Sequence, residues 1–173
     1  MKKAIVLTAD WFREEELFYP IGRLKKKGWG VDIAAPKIEQ LRGELGGIIL
    51  PNITIDEIEP DIYDLLLIPG GRPDGAPETV KGIKKAQEIT KAFFAKNKPV
   101  AAVCHGPWLL ATSGVVKGRQ VTSFWYDGVP EDVKAAGGIW VDEEVVVDGN
   151  LVTSRYPPDL PAFMREVLKL IPN

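Results

Sequence analysis

Two residue types that carry much of enzyme chemistry are almost missing from this chain. Its 173 residues include one cysteine, Cys104, and one histidine, His105. A single cysteine excludes an intramolecular disulfide, a CxxC redox pair and a zinc knuckle. A single histidine excludes the usual multi-histidine catalytic zinc sites, so neither a metal nor another cofactor is expected. An excess of one charge is lacking too. The 22 basic and 24 acidic residues leave a net charge of −2, which gives no electrostatic reason to expect a nucleic-acid partner. No apolar run approaches the ~18 residues a membrane helix needs, so no membrane partner is expected either. The start, Met1-Lys2-Lys3 followed by Ala4 to Leu7, turns polar at Thr8 and acidic at Asp10. It reads as a strand and not as a signal peptide, and the expected location is the cytoplasm.

What is present is an ordinary globular composition, 45% hydrophobic and 27% charged, in a length that suits one domain over 1–173. Short β-branched runs alternate with helical stretches. Ala4 to Ala9 is apolar save for Thr8, the mark of a strand buried on both faces. Glu14 to Lys27 places Leu17, Phe18, Ile21 and Leu24 at helical spacing and closes at Gly28, with Pro20 predicting a kink or a late start. Strands are predicted at Val31 to Ala35, Tyr63 to Ile68 and Val100 to Val103, and a small β-excursion within 38–58. Helices are predicted at Glu78 to Asn97, Pro107 to Ser113 and Leu160 to Leu170. Val145 to Val147 and Leu151 to Thr153, joined by Asp148-Gly149-Asn150, read as a hairpin. Alternating β and α units imply an α/β fold, a mostly parallel sheet with helices on both faces.

In such a sheet, ligands sit outside the carboxyl ends of the strands. There, Val100-Ala101-Ala102-Val103-Cys104-His105-Gly106-Pro107 runs from a core strand into a helix with one cysteine between. Ala102 and Gly106 flank it at two residues either side, the small-x-nucleophile-x-small spacing of a nucleophile elbow. Pro107 suits a first helical turn. A helix N-terminus facing the sulfur is expected to lower the thiol pKa. A free cysteine is commonly buried and inert; the strand–Cys–His–Gly–Pro–helix context argues for the nucleophile. His105 has two readings, a general base or a backbone N–H donor to an oxyanion. Pro69-Gly70-Gly71-Arg72 follows another core strand, and the Gly70 and Gly71 amides are candidates for the second half of that oxyanion site. No phosphate-binding glycine motif is present.

Several segments together carry a resemblance. They are E-L-F-Y-P at Glu16 to Pro20, L-I-P-G-G-R at Leu67 to Arg72, A-P-E at Ala76 to Glu78 and A-A-V-C-H-G-P at Ala101 to Pro107. Glu144 to Arg155 and Pro158 to Glu166 complete the set. Over essentially its whole length the chain resembles the PfpI-type intracellular proteases of the DJ-type superfamily. The resemblance implies a flavodoxin-like sandwich with Cys104 at the elbow and a protonated Glu16 hydrogen-bonded to the sulfur. From the residues alone, Glu16 is one of three consecutive glutamates that would suit a solvated first turn. The resemblance also implies a homo-oligomer, a dimer or hexamer with the site near an interface. There, Glu78 of a neighbouring subunit completes a Cys-His-Glu triad. Two departures stand out. Pro73-Asp74-Gly75 lengthens the loop before Glu78, and Phe124 stands where relatives often carry a tyrosine. Trp11, Trp108 and Trp125 are candidate pocket walls, though packing is the commoner role for tryptophan.

The first expected activity is peptide hydrolysis by Cys104, with Gly71 and His105 amides on the oxyanion and His105 moving the proton. The alternative is glyoxalase or deglycase chemistry on methylglyoxal or early glycation adducts through the same thiol, with Glu16 as proton shuttle. A redox or oxidative-stress sensor comes last, because no second cysteine can resolve a sulfenic acid. An amidotransferase triad fails because no histidine follows His105.

Overall fold

The structure is a computed structural model that describes residues 1–171. In chain order the elements are β1 (Lys3–Leu7), α1 (Glu14–Lys26), β2 (Gly30–Ala35), β3 (Leu41–Arg42), β4 (Ile48–Ile49), β5 (Ile53–Thr54) and β6 (Leu65–Ile68). Then follow α2 (Ala76–Lys81), α3 (Lys84–Ala95), β7 (Val100–Val103), α4 (Pro107–Thr112), β8 (Gln120–Val121) and α5 (Val129–Ala135). The chain closes with β9 (Ile139–Trp140), β10 (Val145–Asp148), β11 (Leu151–Ser154) and α6 (Leu160–Leu170).

Seven strands form the main sheet in the order β10-β11-β7-β6-β1-β2-β5. Every neighbouring pair is parallel except the β10–β11 hairpin. The hairpin turns at Gly149, whose φ of +58° is the backbone a two-residue loop gives to glycine. The apolar runs of β6 and β7 are buried along their whole length because helices cover both faces. On one face α1 packs against α6; on the other α2 to α5 pack on one another. The parallel strands β1, β6, β7 and β11 therefore deliver their carboxyl ends to one edge, and the sequence leaves the sheet there at residues 8, 69, 104 and 155.

Three expectations shift. The stretch Glu78 to Asn97 is two helices, because Gly82 caps α2 and Ile83 is extended before α3 begins. Pro20 neither breaks α1 nor delays it: the helix runs from Glu14 to Lys26 with Leu17, Pro20, Ile21 and Leu24 all buried against the sheet. Packing of that face outweighs the one backbone hydrogen bond that proline removes. Residues 114–144, left unassigned by periodicity, hold α5 and the two-residue strands β8 and β9, which pair in parallel. No helix among the described residues is long and apolar enough to cross a membrane.

Candidate functional site

Cys104 stands between β7 and α4 at φ +64°, a left-handed conformation that non-glycine residues rarely adopt. The surrounding backbone holds it there. Its N–H donates to the Ser154 carbonyl at 3.0 Å, and its own carbonyl accepts from the Phe124 amide at 2.9 Å. The turn is too tight for a side chain at Gly106, where a Cβ would run into the Ile68 carbonyl oxygen. Strain of this kind persists only where neighbours over-determine it, and it projects the sulfur out of the sheet edge.

The three glutamates that open α1 have three different environments. Glu14 turns to the 43–47 loop, and its Oε1 accepts from the Leu45 and Gly47 amides at 2.8 and 2.9 Å. Glu15 pairs with Arg13 at 2.6 Å. Glu16 is wholly buried, and its Oε2 accepts from the Gly70 amide at 2.7 Å. Burial pushes the Glu16 carboxyl up to about 8, against the pull of hydrogen bonds from the Cys104 thiol and the Gly70 amide. At neutral pH it is mainly the protonated acid. A Cβ on Gly70 would lie 2.7 Å from Glu16 Oε2 and 2.9 Å from Cys104 Cβ, so only glycine fits between acid and sulfur.

The thiol does not follow the expectation from a helix N-terminus. Burial pushes Cys104 up, and an ionised Glu16 adds to that rise, while the His105 amide opposes it. The α4 helix is only six residues long, and desolvation of the sulfur dominates. Cys104 and Glu16 thus compete for protons; with Glu16 protonated, the repulsion vanishes and the carboxyl becomes a donor to sulfur.

His105 lies against the thiol, with Nδ1 3.2 Å from Sγ. Its other nitrogen, Nε2, is 2.8 Å from Asp127 Oδ2. A carboxylate oxygen only accepts, so Nε2 carries the proton and Nδ1 presents a lone pair to the sulfur. Burial lowers the His105 pKa and Asp127 raises it, the former prevailing. Phe124 lies against the imidazole, ring centres 4.8 Å apart. Asp127 adopts φ +63° beside Gly128 at +83°. Sequence reasoning missed Asp127. Its one local signal is an Asp-Gly pair, which reads as a turn, and its contact lies 22 residues from its partner.

These groups line a cleft of about 300 Å³. Arg13, Glu44, Arg72, Phe124, Tyr156 and Pro157 line it too. Of the oxyanion candidates, Gly71 and His105 border the cleft, whereas the Gly70 amide is committed to Glu16. Gly71 sits at φ +154°, pressed on the Trp11 backbone, which fixes its position. Glu78 is not among the cleft residues; it lies in α2 with its carboxylate 2.8 Å from Lys81 Nζ. None of the three tryptophans lines the cleft. Trp11 stacks under Arg72, Trp108 under Lys81, and Trp125 against Phe124 and Tyr156. Among the described residues, no group of three His, Cys, Asp or Glu side chains is arranged to hold a metal ion.

A sequence profile of the DJ-1/PfpI family matches residues 2–170. "Deglycase PfpI" of Pyrococcus furiosus is 47% identical over 169 residues, covering 98% of this chain and 99% of its own. "Protein/nucleic acid deglycase 2" of Escherichia coli is 39% identical over 175 residues, covering 98% of each. Among solved structures, a two-domain protein from Anabaena variabilis with DJ-1/ThiJ/PfpI-like and ferritin-like domains superposes with a TM-score of 0.91 at 32% identity. The match takes in 98% of this chain and 48% of that one, so this chain spans about half of that protein.

Proposed function

The chain belongs to the DJ-1/PfpI family, and from that premise we propose that it is a cysteine-dependent deglycase or glyoxalase. Its substrate is an α-oxoaldehyde such as methylglyoxal, free or as its early aminocarbinol adduct. The observation that carries this reading is the buried Glu16 carboxyl beside Cys104, protonated at neutral pH. Peptide hydrolysis needs a thiol, a base and oxyanion donors. Rearrangement of a hemithioacetal needs in addition an acid that exchanges a proton with the substrate's oxygens, and Glu16 supplies it.

Sγ attacks the aldehyde carbon as its proton passes to His105 Nδ1 and on to the new alkoxide, giving a hemithioacetal. With an aminocarbinol, the S–C bond forms as the C–N bond breaks, and the proton leaves on the amine. His105 then removes the hydrogen on the sulfur-bearing carbon while Glu16 protonates the neighbouring carbonyl oxygen, giving an enediol. The imidazolium returns its proton to the second carbon, and the Glu16 carboxylate takes the hydroxyl proton at the first. The product is a lactoyl thioester, with both residues restored. Water, deprotonated by His105, displaces the sulfur and releases lactate. His105 and Gly71 line the cleft, and their amides are the donors assigned to the oxyanions in this reading.

Peptide hydrolysis, placed first on sequence, becomes the second reading. The thiol–imidazole pair would serve it, and two relatives named as deglycases favour the other reaction. Proton NMR of methylglyoxal with the wild type and with Cys104→Ala separates them. Lactate formed by the wild type, with loss of about a thousandfold or more in the variant, supports the proposal. No lactate, together with cleavage of peptides by the wild type alone, overturns it in favour of the peptidase.

A further inference from the structure

We infer that Asp127 is the positioning residue for His105, so that one chain carries a complete thiol–imidazole–carboxylate line without a carboxylate from a second copy. The inference rests on the reading of Cys104 as nucleophile and deepens it, because family resemblance alone would assign this role to Glu78 of a neighbouring subunit. Three observations carry it. The Nε2–Oδ2 distance is 2.8 Å, that of a good charge-assisted hydrogen bond. Sγ, Nδ1, Nε2 and Oδ2 then form one continuous chain of contacts. The ring edge that a carboxylate from a second chain would need is thereby occupied. Glu78, for its part, is engaged with Lys81.

The backbone at 124–128 is built to deliver this side chain. The Phe124 amide is tied to the Cys104 carbonyl, and Asp127 and Gly128 take successive left-handed conformations that curl the loop back over the imidazole. Phe124 meanwhile packs its ring on the imidazole and keeps the histidine from swinging away. Asp127 holds the tautomer in which Nδ1 is bare and stabilises the imidazolium that forms during proton transfer.

The charged and titratable groups around His105 are Cys104, Glu16, Asp127 at Nε2, Glu44, and the cleft residues Arg13 and Arg72. Among the described residues, only Asp127 and the thiol hydrogen-bond to the ring.

The protein's single histidine makes the test clean, because every imidazole signal belongs to His105. Long-range proton–nitrogen NMR reports which ring nitrogen is protonated, with no substrate and no activity involved. The wild type should show Nε2–H. Asp127→Ala should lose that preference and lower the imidazole pKa, and kcat should fall at least about tenfold. Asp127→Asn removes the charge and can turn its NH2 to Nε2, so the pKa should still fall and the Nε2–H preference should weaken or invert. Glu78→Gln should keep the wild-type tautomer. Retention of Nε2–H in Asp127→Ala overturns the inference, as does its loss in Glu78→Gln. Failure of the deglycase reading would instead show as absent lactate with the histidine signals as described.

Discussion

Two carboxyl groups flank the Cys104–His105 pair, one from the head of α1 and one from the loop after β8, and their surroundings give them opposite work. Glu16 is fully enclosed and keeps its proton to about pH 8. The Asp127 side chain, 40% exposed, meets the imidazole as an acceptor. The same functional group is a proton donor where water is excluded and a charge partner where water reaches it. On the helical side the acid is fixed by a backbone amide. The loop side owes its geometry to two left-handed residues. Chemistry that needs both an acid and a base near one sulfur is thus divided between a buried wall and a wet one.

The largest break in this contrast comes from removing the buried proton. Glu16→Gln keeps the size of the side chain and an acceptor for the Gly70 amide, yet it cannot release a proton. Lactate formation should fall by about 10²–10⁴-fold. Stability should respond in the opposite sense. The folded pKa of Glu16, about 8, lies above the ordinary glutamate value of 4.5, so between these values the folded state binds more protons than the unfolded one. That contribution is fully present below pH 4.5 and is lost as pH rises through 8. The wild type should therefore lose thermal stability from pH 5 to 8, and Glu16→Gln should flatten that slope. An unchanged slope would mean that Glu16 is ionised in the folded protein. The Cys104 thiol, also pushed up, acts in the same sense only at higher pH, above its ordinary value of 9.0, and leaves the slope from pH 5 to 8 to Glu16.

The two walls also differ in how legible they were. The elbow could be read because its chemistry is local: a core strand, one nucleophile, and small residues at fixed offsets that leave room for the turn. The sheet was equally readable, since β6, β7 and, from Ala4 on, β1 are continuous apolar runs. Choosing Glu16 from three adjacent glutamates needed family resemblance, because what separates it from Glu14 is which loop each meets, at 31 residues' distance for Glu14 and 54 for Glu16. Asp127 could not be read at all. Nothing in Trp125-Tyr126-Asp127-Gly128 states that a turn here closes on a histidine 22 positions earlier. Long-range pairing through an irregular loop leaves no periodicity, which is also why β8 and β9 escaped notice. The Gly70 amide was assigned to the oxyanion for the converse reason: the motif shows a free donor, and only the fold shows that Glu16 takes it.

A smaller effect should come from disturbing the spacing on the buried side without removing the acid. In Gly70→Ala the new methyl would meet Glu16 Oε2 at 2.7 Å, Cys104 Cβ at 2.9 Å and the His105 nitrogen at 3.0 Å. Two of these belong to backbone or to a β-carbon fixed by it, so Glu16 must yield. Overpacking of this kind costs about 1–3 kcal/mol, measurable by thermal or denaturant unfolding. Activity should fall by about tenfold, since a displacement of an ångström or less is enough to uncouple acid from sulfur. The tautomer of His105 should stay as in the wild type, because Asp127 on the other wall is untouched. A change of tautomer would show that the two walls are not independent.

The mildest test sharpens the loop side. Phe124 lines the cleft and packs on His105, and its ring also touches those of Trp125 and Tyr126. The ring therefore supplies a dry surface over the imidazole and no hydrogen bond. Phe124→Tyr adds one hydroxyl at the ring tip while keeping the stacked plane. If the tip reaches bound substrate, one hydrogen bond worth about 0.5–1.5 kcal/mol is gained, which is a two- to tenfold lower KM. Because the hydroxyl touches neither the Cys104–Glu16 proton nor the His105–Asp127 bond, kcat and its pH profile should not move. A fall in kcat with unchanged KM would give the opposite answer: the hydroxyl would have competed with Asp127 for the imidazole, and the wet wall would depend on the ring staying apolar.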